Sequence, residues 1–210
     1  MLEIYVYSDY VCPFCFFAEI ELEKALKGLE DQVEVHWMPY ELRPYPTPLL
    51  KPEGKYLQQQ WAEQVYPAAR RLGIPAVLPR VSPQPRTELA FTGYQFALEQ
   101  GLAEAYNARL FRAYFQEEQD LGDEEVLVKL AAEVGLNSNA YRQALKTKKY
   151  KRAHQEALHH AYEEIDIRDV PSFIIGDELI EGLLTAESLR EIVKEKLKEL
   201  PDEEADDQED

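Results

Sequence analysis

The chain is poor in cysteine, in basic charge and in long apolar runs. It has only two cysteines in 210 residues, Cys12 and Cys15. One pair cannot form a disulfide framework, so the fold must rest on a hydrophobic core. No apolar run approaches the roughly 20 residues that a membrane-spanning helix needs. The first residues carry no basic region and no signal-type apolar stretch, with Glu3 and Asp9 where such a segment would lie. The expectation is a cytoplasmic protein. Lysine and arginine total 23 against 40 acidic residues, a formal net charge of −17. That deficit argues against nucleic acid, whose phosphates need a basic surface, and against anionic membranes. Part of the acid lies after Pro201, and 201–210 reads as a disordered, solubilising acidic tail. A structural zinc site takes about four ligands from Cys, His and carboxylates. There is no second C-x-x-C and no histidine at ligand spacing from the first, so no metal is expected.

Hydrophobic residues make up 45% of the chain, enough for a substantial core. The stretch that organises it is Ser8-Asp9-Tyr10-Val11-Cys12-Pro13-Phe14-Cys15. Before it, Leu2, Ile4 and Val6 alternate with Glu3, Tyr5 and Tyr7, the pattern of a strand. After it, Phe16 to Lys27 has the pattern of an amphipathic helix, and Pro13 suits a first helical position. Cys12 should therefore cap a helix as an exposed nucleophile, with Cys15 a turn deeper. Unpaired N–H groups and partial positive charge at a helix start favour a thiolate, the species that attacks disulfides. A C-x-x-C at a strand-to-helix junction in a reducing compartment reads as a redox dithiol.

Val33, Val35 and Trp37 mark a second strand, running to about Leu42, so the chain opens with a βαβ unit. Proline-rich connections follow at 43–54 and 74–85. Helical periodicity begins at Lys55, with a break expected near Tyr66 because Pro67 lies inside the run. Thr87 can cap a helix with Ala90, Tyr94, Ala97 and Leu98 inward. Another carries Tyr106 to Phe115, Asp123 caps a short one, and Ser138 can start a long one reaching about Ile165. Ser172–Ile175 and Glu178–Glu181 around Gly176-Asp177 read as a hairpin. Thr185 caps a last helix with Leu189, Ile192, Val193, Leu197 and Leu200 inward. The predicted fold class is α/β: a thioredoxin fold with a four-stranded mixed sheet, βαβ then ββα, and a large all-helical insertion. The expected domains are 1–45 with 166–200 as the thioredoxin-like part and 46–165 as the helical insertion.

Three motifs occur in that order: Asp9-Tyr10-Val11-Cys12-Pro13-Phe14-Cys15, Tyr40-Glu41-Leu42-Arg43-Pro44 and Val170-Pro171-Ser172-Phe173. With them the chain resembles the DsbA family of the thioredoxin-fold superfamily. More narrowly it is similar to the FrnE-like branch and the related 2-hydroxychromene-2-carboxylate isomerases. The resemblance implies that Pro171 is cis and packs beside Cys12, and that the Val170 backbone pairs with an extended substrate. Pro13 and Phe14 would flank that substrate, and Arg86 would contact a small one. The implied activity is thiol:disulfide exchange with protein or small-molecule disulfides or dithiols: Cys12 attacks and Cys15 resolves. It needs no bound cofactor, with glutathione as a co-substrate and a thioredoxin- or glutathione-type redox partner. The alternative is a glutathione-dependent isomerase or transferase of small aromatic compounds. The chain departs from the family in three places. Phe14 replaces the histidine of DsbA proper, which predicts a less oxidising couple. Asp169 replaces a usual glycine. Cys12 stands where the isomerase branch generally has serine.

Other polar groups read as ordinary. Lys146, Lys148, Lys149, Lys151 and Arg152 form a solvated helix face. His154, His159 and His160 are surface or packing residues. Glu41 is an exposed strand-end glutamate, with a buried proton acceptor near the dithiol as the other possibility. Trp61, Tyr66 and the aromatics from Tyr106 to Phe115 belong to the core of the insertion.

Overall fold

Alternating apolar residues make Leu2–Ser8 a strand, β1, and Val33–Pro39 a second, β2, which pairs with it in parallel. This computed structural model describes residues 1–200, so the acidic stretch 201–210 lies outside the described residues. Between the two strands runs α1, Pro13–Leu26. After β2 come α2 (Lys55–Gln60), α3 (Tyr66–Leu72), α4 (Glu88–Glu99), α5 (Ala103–Phe115), α6 (Glu124–Glu133), α7 (Ser138–Lys146) and α8 (Lys148–His159). The hairpin follows as β3 (Ser172–Ile175) and β4 (Glu178–Glu181), then α9 (Ala186–Glu199). The strand order is β2-β1-β3-β4, with β3 antiparallel to β1 and to β4. β1 is thus interior, as a thioredoxin fold requires, and its carboxyl end delivers the C-x-x-C.

Packing explains the placement of α1. Phe16 stacks on Phe111 and Phe115 of α5, with centroids 6.1 and 5.4 Å apart. On the α9 side, the buried Glu21 carboxylate accepts the Ala186 N–H at 2.7 Å. Arg190 of α9 donates to the carbonyls of Ala25 and Lys27 at 2.6 and 2.9 Å, serving C-terminal groups that a helix cannot pair internally. Both ends of α1 are therefore fixed by elements distant in sequence.

Several boundaries differ from expectation. β2 stops at Pro39 rather than Leu42, because after Tyr40 N–H bonds to Ser8 the chain turns inward and Leu42 serves a side chain. The run from Lys55 contains a π turn, Trp61–Val65, just before Pro67; this wider turn accommodates the missing N–H. The long final helix of the insertion is broken at Thr147, whose extended backbone separates α7 from α8 and whose hydroxyl bonds to Gln143 at 2.8 Å. α7 starts at Ser138 as expected, and Asn137 caps it. Asp123 and Thr185 cap α6 and α9 as the sequence indicates. Thr87 precedes α4 but its side chain makes no cap bond. Leu98 and Leu200, expected inside, lie at helix ends and are 52% and 37% exposed.

Gly93 marks the tightest packing between helices. A Cβ there would meet the Tyr141 hydroxyl and lie 2.6 Å from that of Tyr106. These two hydroxyls bond to each other at 2.6 Å, and Tyr106 also donates to the Ala90 carbonyl at 2.9 Å. Gly93→Ala should therefore destabilise by about 3 kcal/mol, the upper part of the overpacking range. Urea unfolding checks it: an unchanged midpoint would mean these tyrosines yield freely.

Candidate active site at the start of α1

Cys12 is the N-cap residue of α1, with extended backbone (φ −88°, ψ 114°), and Pro13 follows in the first turn. Cys12 N–H bonds to the Asp9 carbonyl at 3.0 Å, and its own carbonyl accepts from Cys15 at 3.1 Å and Phe16 at 3.3 Å. No acidic side chain occupies the first turn. Both cysteines are reduced thiols. Cys15 is fully buried, and burial pushes its thiol well above the usual range, reinforced by a hydrogen bond to Cys12. Phe14 is half-buried and meets Phe17 edge-on at 6.1 Å.

The expected exposure of Cys12 is corrected. Only 5% of the residue is accessible. The covering element is the loop before β3, where the Val170–Pro171 bond is cis. Cys12 Sγ lies 3.6 Å from the Val170 carbonyl, to which the thiol donates. This loop is firmly held. Ser172 Oγ donates to the Asp169 carbonyl at 2.7 Å, and Gly182 N–H to the Pro171 carbonyl at 2.8 Å. Asp169 keeps a negative φ, so the residue standing in place of glycine needs no left-handed backbone. Its carboxylate accepts the Val170 N–H at 2.8 Å.

Beneath the dithiol lies a group that the sequence reading used only as part of a motif. Asp9 is buried, directly after β1. Burial pushes its carboxyl up to about 7, against the opposing effect of the Leu42 N–H, which donates to Oδ2 at 2.8 Å. The nearby Glu41 charge raises it further. Thr87, offered as a helix cap, is buried and makes no cap bond. Glu41 is not the exposed glutamate expected: it is 5% accessible and bonds to buried His154 Nε2 at 2.6 Å. Tyr162 donates to the Glu41 carbonyl at 2.5 Å, and Phe91 stacks on His154 at 5.4 Å. This buried pair seats residues 41–42, and so seats the N–H that faces Asp9. The signal available in the sequence was an acid at the end of an apolar strand, three residues before Cys12.

Arg86 is engaged by the connection after β2. Its guanidinium donates to the carbonyls of Arg43 (2.8 Å) and Thr47 (3.0 Å) and lies over the Tyr45 ring at 5.5 Å, so it clamps the connection after β2. Tyr40 completes the motif by donating to the Arg168 carbonyl at 3.3 Å, behind the Val170 loop. The basic run of α7 and α8 is a solvated face, paired as Lys146–Glu124, Lys149–Glu99, Lys151–Glu88 and Arg152–Glu156.

A DSBA-like thioredoxin domain model matches residues 3–194, nearly the whole chain. The chain belongs to the DSBA-like thioredoxin domain family. It is 50% identical over 182 residues to the uncharacterized protein YwbO of Bacillus subtilis, covering 86% of this chain and 90% of that one. Among solved structures, the probable DsbA oxidoreductase of Streptomyces coelicolor superposes with a TM-score of 0.80 at 22% identity, over 98% of this chain and 94% of that one. The cytosolic disulfide reductase DsbM of Pseudomonas aeruginosa, solved with GSH, gives 0.73 at 19% identity, over 94% and 100%. A 2-hydroxychromene-2-carboxylate isomerase gives 0.72 at 18%, over 92% and 93%. The resemblance drawn from the motifs holds for family and fold. Among the described residues no helix is long and apolar enough to cross a membrane.

Proposed function

We propose that the protein is a thiol:disulfide oxidoreductase working through Cys12 and Cys15. The observation that carries the reading is one arrangement. A cap cysteine of α1 lies 3.6 Å from the carbonyl preceding a cis proline, and a second thiol is buried a turn below. Cys12, as thiolate, attacks a substrate disulfide; one substrate sulfur leaves as a thiolate and a mixed disulfide forms. Cys15 then loses its proton and attacks Cys12 Sγ. The second substrate thiolate leaves, the Cys12–Cys15 disulfide forms, and two electrons have passed to the substrate. The proposed acceptor of the Cys15 proton is Asp9, whose carboxyl is raised to about 7 and whose charge acts on Cys15. Pro13 and Phe14 flank the approach. An extended substrate running beside Val170 displaces the Asp169 carboxylate from that N–H.

Glutathione is proposed as the co-substrate: two molecules reduce the protein disulfide and leave as glutathione disulfide. The neighbour DsbM, a cytosolic disulfide reductase solved with GSH, supports this choice and a cytoplasmic setting. Phe14 offers no imidazolium to stabilise the reduced form, so the couple is less oxidising than that of DsbA. The test is a glutathione redox-buffer titration read by thiol alkylation and mass. Both cysteines should oxidise together as one two-electron couple, with a midpoint below about −200 mV. A midpoint near −120 mV, the DsbA value of about that size, would remove the argument from Phe14. Failure to form the intramolecular disulfide would remove the activity.

A further inference from the structure

Glu3 and Tyr5 of β1 share a face of the sheet with Glu34 and His36 of β2, because residues two apart along a strand point the same way. The parallel register sets Glu3 beside Glu34 and Tyr5 beside His36. The Tyr5 ring stacks on the imidazole, with centroids 4.8 Å apart and planes 24° apart. Its hydroxyl donates to Glu3 Oε2 at 3.1 Å, which leaves Oε1 as the oxygen that faces His36. His36 Nε2 lies 3.7 Å from Glu3 Oε1 and 3.8 Å from Glu34 Oε1. One ligand atom from each of the three side chains falls within 4.8 Å of the others. The cluster sits near the start of both strands, whereas Cys12 follows the end of β1.

This spacing suits an ion better than a hydrogen bond. Both distances exceed the roughly 2.7–3.2 Å of an N–H···O bond. Nε2 is covered, and it has no hydrogen-bond partner among the described residues. Donors held about 2.0–2.1 Å from a tetrahedral zinc-type ion stand about 3.4 Å from one another. Small rotations close the gap, and the two carboxylates, each 58% exposed, are free to make them. Like charges set side by side on paired strands repel, and a cation between them removes that cost. The imidazole separates this cluster from an acidic patch. It is a ligand that zinc-class ions take, whereas magnesium and calcium favour oxygen shells.

We propose that Glu3, Glu34 and His36 form a site for a divalent cation of the zinc class, bound through Glu3 Oε1, Glu34 Oε1 and His36 Nε2. Tyr5 is its positioning residue, orienting the Glu3 carboxylate and the imidazole plane as outer partners of metal ligands do. The missing ligand spacing around the C-x-x-C does not bear on this set, which strand register assembles.

The experiment is a zinc chloride titration of the full chain carrying Cys12→Ser and Cys15→Ser, which removes the thiols as competing ligands. It is run at about pH 8, since protons and metal compete for the same atoms. Calorimetry should give one zinc per chain, and ¹⁵N–¹H NMR a saturable shift of His36 Nε2. His36→Gln and Glu34→Gln should each raise the dissociation constant by more than about tenfold, and Tyr5→Phe by about tenfold. Magnesium chloride should neither move that resonance nor displace zinc. Three results overturn the proposal: no saturable shift of His36 Nε2, zinc affinity unchanged in His36→Gln, or magnesium displacing zinc at equal concentration. The first would leave His36 as a loose ionic partner of the two carboxylates. Disulfide turnover is not read, so the metal site and the oxidoreductase reading can fail separately.

Discussion

Cys12→Ser reduces disulfide turnover by roughly a thousandfold or more, because it removes the attacking sulfur while leaving the pocket intact. Cys15→Ala gives a different result: capture without release. The variant still attacks glutathione disulfide through Cys12, but no second thiol closes the ring, so one glutathione per chain remains attached in the mass spectrum. The asymmetry follows from placement. Cys12 caps α1 against the Val170 carbonyl, whereas Cys15 is fully buried with its proton held tightly. Only the former can meet a substrate first, and it does so when the substrate inserts along the Val170 loop that covers it. A Cys12→Ser protein that still transforms a small aromatic compound with glutathione would move the assignment to the isomerase chemistry. A Cys15→Ala protein with full turnover would replace intramolecular resolution by a one-cysteine route.

Local pattern and tertiary contact divide what the sequence could disclose. Alternation in Leu2, Ile4 and Val6, Pro13 at the start of α1, and the Gly176-Asp177 turn each fix backbone within a few residues, and each element is where the pattern places it. Element ends that depend on distant partners were not legible. β2 stops early because Leu42 is drawn to Asp9, thirty-three residues away, and the helix from Ser138 breaks at a threonine that satisfies its own turn. The same limit applied to the site. Cys12 and Cys15 announce themselves by spacing, but the cover over Cys12 comes from residue 170 and cannot be read from its neighbours. Glu41 looked like an exposed strand end because its partner, His154, is 113 residues on. Arg86 carried a substrate role by resemblance, and its donors turn out to hold two carbonyls of the loop after β2.

Asp9→Asn makes the protein more stable at neutral and alkaline pH, and the gain disappears in acid. The wild-type carboxyl is buried and raised from 3.8 to about 7 in the folded state. Between those values the folded chain holds a proton that the unfolded chain has released. Stability from this group is therefore fully present below the unfolded value, falls as pH rises, and is lost above about 7. The shift corresponds to about 4 kcal/mol, undiminished by solvent screening at a fully buried site. Asparagine keeps an oxygen for the Leu42 N–H and carries no charge to bury. The variant should thus exceed wild type by about 4 kcal/mol at pH 8 and match it near pH 4 in urea unfolding. Other carboxylates cancel in the difference, since both proteins share them. The same substitution removes the proposed acceptor for the Cys15 proton, so single-turnover release from the mixed disulfide slows and loses its inflection near pH 7. A stability difference that is flat from pH 4 to 8 would show that Asp9 does not titrate in this window, and the acceptor role would fall with it. If stability responds as expected while the release profile is unchanged, Asp9 is a cost of the fold and another base serves Cys15. The burial that makes the wild-type carboxylate unfavourable is what brings its proton affinity close to neutrality, where a thiol must be discharged.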